Sequence, residues 1–264
     1  MRTTLTGALS LLACALGACG GNDSTGSKDE QAVRAVVKEG MTTTDPDACA
    51  RLLTRTFLEQ TTLETGAAAV RSCRKDAGTA ASTSLSIDRV TVSGARAAAD
   101  IRPKGGSLPF KTATLGLRKM AGSWKIDRLK GGTLDRAALA RVMHDQLTAP
   151  PDALPVTTVD CAVQDLRNTA DSEIIRAYVK PAPRVLVIPV AVCTVRRELA
   201  DSGAPRNVVA CIEEGIRREL TTGALGRKLE RDPSSLALLQ SADGERLGAR
   251  VARACVRSLN VTKG

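Results

Sequence analysis

Four aromatic side chains, Phe57, Phe110, Trp124 and Tyr178, serve a chain of 264 residues. Rings bury the most area per side chain, so any core here must be assembled from Leu, Val, Ile and Ala, which bury less. Such a core gains from covalent staples. Of eight cysteines, Cys14 and Cys19 fall in an N-terminal apolar stretch, and Cys49, Cys73, Cys161, Cys193, Cys211 and Cys255 lie beyond it. Six cysteines in an exported chain read as disulfides. Two precede the mid-chain Gly131-Gly132 and four follow it, and the pairing expected is sequential: Cys49 with Cys73, Cys161 with Cys193, Cys211 with Cys255. Loops of these lengths stabilise by roughly 3 to 4 kcal/mol each on the chain-entropy model. No Cys-x-x-Cys occurs, which argues against a zinc ribbon, an iron-sulfur cluster or a thioredoxin-type redox site; no metal and no cofactor is expected.

Export is the premise of that argument, and the first residues supply it. Arg2 is the only charge before Cys19, and residues 5–16 are Leu, Ala, Gly and Cys interrupted only by Thr6 and Ser10. This is a signal-peptide layout, too short to cross a bilayer as a helix. Gly17-Ala18-Cys19, followed by Gly20-Gly21-Asn22-Asp23-Ser24, resembles the lipobox of bacterial lipoproteins. The resemblance implies removal of residues 1–18, acylation of Cys19, and residence at the extracytoplasmic face of the cell membrane. Cleavage without lipid is the alternative, and Cys14, inside the apolar run, is a poorer acceptor. A diacylglycerol, at about 0.8 kcal/mol per buried methylene, anchors stably where a single chain does not.

The net charge of +10 is concentrated. Between Arg71 and Lys130 stand thirteen basic residues against Asp76, Asp88, Asp100 and Asp127. Each basic side chain near an anionic leaflet adds about 1 kcal/mol of attraction. The excess is therefore read either as a face for an anionic wall polymer or lipid, or as a solvated face that keeps the protein soluble. Export, and the lack of aromatics interleaved with the Arg and Lys, count against nucleic acid.

After a tether over 19–28, the spacing of Ala32, Val33, Val36 and Val37 predicts a helix over 29–40. Asp45 as N-cap and Pro46 at the first helical position start a second, with Cys49, Leu52, Leu53 and Phe57 as its buried stripe. A short helical turn over 67–75 carries Cys73. From Ser84 the period falls to about two, and turn signals divide strands over 84–92, 96–102, 109–119 and 123–129. The expectation is an α+β fold, with helices on one face of an antiparallel meander. That order, closing on Gly122-Ser123-Trp124-Lys125-Ile126-Asp127, resembles the cone-like fold of the nuclear-transport-factor-two superfamily, which includes ketosteroid isomerases and polyketide cyclases. The resemblance covers 29–132 and implies a conical pocket.

The remainder, 133–264, reads as a small helical domain stapled by two disulfides. Thr133 is expected to cap a helix over 134–147, and Ala149-Pro150-Pro151-Asp152-Ala153-Leu154-Pro155 reads as a stiff linker. A weak two-copy repeat follows, Cys161 and Cys211 opening the copies, with Leu166-Arg167 answered by Ile216-Arg217. Pro189 suits a first helical turn, so 185–188 is expected to be extended.

The chemistry-bearing residues are few. The first domain has no Tyr and no His, so none of the isomerase residues carries over. Asp88 and Asp100 sit on strands without an evident polar partner, His144 precedes Asp145 on a helix where neighbours do not face each other, and Ser72-Cys73-Arg74-Lys75 matches Ser-x-x-Lys without its companion motifs. The expectation is no catalytic residue and no enzyme: a lipid-anchored module that binds or docks a ligand or a protein partner. The alternatives are an isomerase-type pocket and an electrostatic adaptor.

Overall fold

The Ser27 hydroxyl accepts the Glu30 backbone N–H at 3.2 Å and so caps the first helix, in a computed structural model that describes residues 27–62, 64–149, 153–180, 184–231 and 242–261. The signal segment, Cys19 and the tether before Ser27 lie outside the described residues, as do Pro150, Pro151 and Asp152.

Helices α1 (Lys28–Thr42), α2 (Ala48–Leu52), α3 (Arg55–Thr62) and α4 (Gly66–Ala80) precede strands β1 (Ser84–Ser93), β2 (Arg96–Lys104), β3 (Phe110–Met120) and β4 (Ser123–Leu134). The strands pair antiparallel in sequence order, and bulges between Ile87 and Arg89, and at three places along β3 and β4, bend the sheet. Alternation decides the faces. Ala99, Leu115 and Ile126 point inward at 0–1% exposure against Val33 and Val37 of α1, while the intervening residues point out. The fold is α+β, with helices laid on one face of an antiparallel sheet and a disulfide-stapled helical region after it.

Several local expectations change. The second helix is two, because Leu53 and Thr54 leave the helix to run beside β4: Leu53 bridges Ile126 in parallel, and the Thr54 N–H donates to the Ile126 carbonyl at 2.9 Å. An edge donor and acceptor are satisfied that way, at the expense of helical continuity. Asp45 does not cap α2; its carboxylate accepts from the Asp47 N–H in an Asx turn. β4 runs on through Gly131 and Gly132 to Leu134, so Thr133 is a strand residue facing Thr112. Asp135 caps the next helix instead, accepting from Ala138 N–H at 3.0 Å.

That helix, α5 (Arg136–Leu147), is followed by α6 (Val156–Leu166), α7 (Asp171–Val179), α8 (Arg184–Asp201), α9 (Arg206–Thr222), α10 (Ala224–Arg231) and α11 (Ala242–Val261). Residues 185–188 are helical, not extended, because α8 runs through Pro189. The proline forfeits one backbone bond, but Val187, Val190 and Cys193 are buried on this helix, and that burial outweighs the loss. Disulfides join Cys49 to Cys73, Cys161 to Cys193 and Cys211 to Cys255, the sequential pairing. They tie α2 to α4, α6 to α8 and α9 to α11.

The apolar core does not stop at residue 132. Leu139 and Met143 of α5, Val159 and Leu166 of α6, and Tyr178 of α7 belong to the cluster that fills the sheet's inner face, with Tyr178 edge-on to Phe110 at 5.5 Å. A second cluster, built on Ile216, Leu220, Leu229 and Val251, holds α9, α10 and α11 together.

Candidate anion-binding surface

Because the inner face of the sheet is filled, what the sheet offers to solvent is its outer face. The register makes it cationic. Arg96 on β2 stands opposite Arg118 on β3, and Arg118 opposite Lys125 on β4. Like charges directly across a sheet repel; Asp127 lies 3.5 Å from Arg118 and the Ala50 carbonyl accepts from Lys125 Nζ at 2.8 Å, which leaves Arg96 as the cation of this row that no carboxylate offsets. The next row has a floor of small residues, Thr91, Ala98 and Gly116. Gly116 leaves room there: a Cβ would meet Lys130 Cε at 2.9 Å and Arg128 Cγ at 3.1 Å, so its absence lets those two stems lie close over the strand.

The carboxylates on this face are already engaged. Asp127, buried at the bulge, accepts from Arg128 Nη2 at 2.8 Å and lies 3.5 Å from Arg118. Asp88 pairs with Arg102 at 2.6 Å. Asp100 takes the Thr114 hydroxyl at 2.8 Å and Arg89 Nε at 3.0 Å. The Thr114 hydrogen bond first, then Arg89, hold the Asp100 carboxyl below the usual carboxylate range against the opposing effect of burial. Among the described residues no carboxylate stands against Arg96, Lys104 or Lys130, all exposed. The face therefore carries positive charge that nothing within it neutralises.

One end of the sheet is tied to the first turn of α1. Asp29, in the first turn of α1, accepts from Lys119 Nζ at 2.7 Å and from Trp124 Nε1 at 3.0 Å, while Lys119 also lies 5.7 Å over the Trp124 ring. Those two bonds, Lys119 foremost, keep the Asp29 carboxyl below its ordinary range. Beside this end a groove of about 390 Å³ opens among Leu53, Leu58, Val70 and Met120, with Arg55 and Lys125 at its rim.

The residues singled out for chemistry stay apart. Asp88 and Asp100, expected to lack partners, are both on the outer face with arginines. His144 turns to Asp160 of α6, at 3.0 Å, rather than to Asp145. Tyr178 is in the core, where burial raises its phenol pKa. Cys73 of the Ser-x-x-Lys match is in its disulfide. Cys19 lies outside the described residues. Among the described residues no group of three His, Cys, Asp or Glu side chains is placed to hold a metal ion, and no helix is long and apolar enough to cross a membrane.

The sequence gives little sign of two polar anchors, the buried Gln60 and the half-buried Arg136. Gln60 donates to the Val179 carbonyl at 2.6 Å and accepts the Leu129 N–H at 2.8 Å, joining α3, β4 and α7. Arg136 donates to the Leu166 and Thr169 carbonyls, each at 2.6 Å, closing the end of α6. Only a three-dimensional register reveals either. No protein-family model, curated protein or solved structure matches this chain.

Proposed function

We propose that this is a lipid-anchored envelope protein, held at the outer face of the cell membrane through Cys19, that acts without catalysis as a docking module. Its uncovered basic sheet face takes a partner bearing phosphate or carboxylate groups. The observation that carries this reading is the contrast between the two faces of one sheet. The inner face is consumed by packed side chains; the outer presents Arg96, Lys104 and Lys130 beyond what Asp88, Asp100 and Asp127 offset. The nuclear-transport-factor-two-like reading is supported by α1–α4 preceding a four-strand meander and by the Trp124-Lys125-Ile126-Asp127 segment opening β4.

The test is binding of the full chain to a poly(glycerol phosphate) and to phosphatidylglycerol vesicles, against a variant carrying Arg96→Glu, Lys104→Glu and Lys130→Glu. At about 1 kcal/mol per cation, or fivefold each, the variant should bind at least about a hundredfold more weakly. Raising ionic strength should weaken the parent in the same direction, as the Debye length shrinks to about 8 Å at physiological salt. Unchanged binding in the variant, or an unacylated Cys19 in the native membrane extract, would overturn the reading.

A further inference from the structure

We infer that the end of the sheet holding the β3–β4 turn is a membrane-docking edge: the Met120-Ala121 tip seats in an anionic bilayer, and the Arg96–Arg118–Lys125 row meets its headgroups. This rests on the lipid anchor proposed above and names the lipid surface as the partner of this end of the face.

The first argument is where the chain emerges. The described residues begin at Ser27, and two residues later Asp29 is bonded to Lys119 and Trp124, which flank the β3–β4 turn. The β1–β2 turn is at the same end, since Lys119 N–H donates to the Ala95 carbonyl at 2.8 Å. From Cys19 to Ser27 the chain reaches at most about 28 Å, even fully extended. A bilayer holding the acyl chains of Cys19 therefore stays within that distance of this end of the molecule.

The second argument is the composition of the tip. Met120 is 44% exposed, one of three such large apolar side chains among the described residues, with Val156 and Val256. Ala121 has φ +49° and is the one non-glycine residue with positive φ among the described residues; Gly122 follows at +84°. A two-residue turn of this kind favours Asn-Gly, and Ala adopts it against its own preference. Ala121 is thus an apolar residue at a turn position that polar residues favour, and the Met120 beside it at the end of β3 is exposed. The third argument is charge. The Arg96–Arg118–Lys125 row is the row next to the tip on the outer face. An apolar point beside a cationic row is complementary to an anionic bilayer, where the side chain enters the acyl boundary and the cations stay among phosphates.

The test is hydrogen exchange of the acylated full chain on phosphatidylglycerol-containing vesicles and on phosphatidylcholine vesicles. Segments 93–96 and 118–125 should exchange about fivefold more slowly on the anionic vesicles, the factor equivalent to one cation's attraction. Segment 206–222, helix α9 away from the sheet, should not change. Met120→Glu with Arg96→Glu should erase the difference; circular dichroism of that variant, matching the parent, shows that it is folded. Equal exchange of 118–125 on both lipids, with Cys19 shown by mass to be acylated, would overturn the inference and leave the anchor standing. Protection of the same segments by soluble poly(glycerol phosphate) but not by vesicles would overturn it in favour of a wall polymer. An unacylated Cys19 would remove both.

Discussion

Gln60 offers the sharpest test of whether the sheet and the helices after it share one core. Its side chain, 5% exposed, reaches three backbone groups: the Leu129 N–H at 2.8 Å, the Leu129 carbonyl at 3.4 Å and the Val179 carbonyl at 2.6 Å. The Leu129 amide lies on the outer edge of β4, beyond the short stretch that Leu53 and Thr54 cover, and Val179 ends α7, where carbonyls lack helical partners. Gln60→Leu keeps the volume and removes all three bonds. A buried backbone group left without a partner costs about 1 to 3 kcal/mol, so the Leu129 N–H and Val179 carbonyl together predict about 2 to 6 kcal/mol. Urea unfolding measures it: with a slope of about 2 to 3 kcal/mol/M, the midpoint should fall by about 0.7 to 3 M. Thr61→Ala, which removes a half-buried hydroxyl bonded within its own helix, should shift it far less. A loss below about 0.5 kcal/mol for Gln60→Leu, the range of ordinary surface changes, would refute the reasoning. So would separate transitions for the sheet and for α7.

The disulfides should matter on the same scale: separations of 24, 32 and 44 residues give about 3.5 to 4 kcal/mol each by loop entropy, so unfolding in reductant should begin at markedly lower urea. Persistence of the oxidised midpoint after full reduction would contradict this. The Asp29 carboxyl titrates below its ordinary range in the folded protein, so its contribution is complete above the unfolded value near 3.8 and is lost as pH falls through the folded value. Trp124 is the only tryptophan, and its emission should report that acid transition; Asp29→Asn should remove it, and an identical transition in the variant would assign it elsewhere. Ala121→Gly relieves a left-handed alanine and should raise stability by about 1 kcal/mol, read as a higher Tm; a lower Tm would show that the turn is not held as described.

The sequence carried the fold class through periodicity. The 3.6 spacing of Val33 and Val37 and the alternation of Ala113, Leu115 and Leu117 each reflect burial on one face, and both are inward in the structure. Cysteine order sufficed for the pairing because each bridge closes within a compact group of neighbouring helices. The break at Leu53 was illegible, since those residues leave the helix for an edge that exists only once β4 is in place. Pro189 misled for a similar reason, because tertiary burial of Val187 and Val190 outweighs local preference. Of the candidate surface, the basic excess was visible, but not its register. Whether Arg96 opposes a carboxylate or Arg118 depends on how two strands align, and a shift of one residue would send these cations to the other face.

Lysine footprinting of the full chain on its anionic partner tests the docking face most directly. Acetylation rates for each lysine would be read by mass spectrometry with and without poly(glycerol phosphate) or phosphatidylglycerol vesicles. Lys104 and Lys130 sit on the sheet's outer face, whereas Lys38 lies on α1 and Lys180 at the end of α7. Acetylation in the partner's presence should slow at Lys104, Lys130 or both, with Lys38 and Lys180 unchanged. Protection confined to the helical lysines, or spread evenly over all of them, would contradict it.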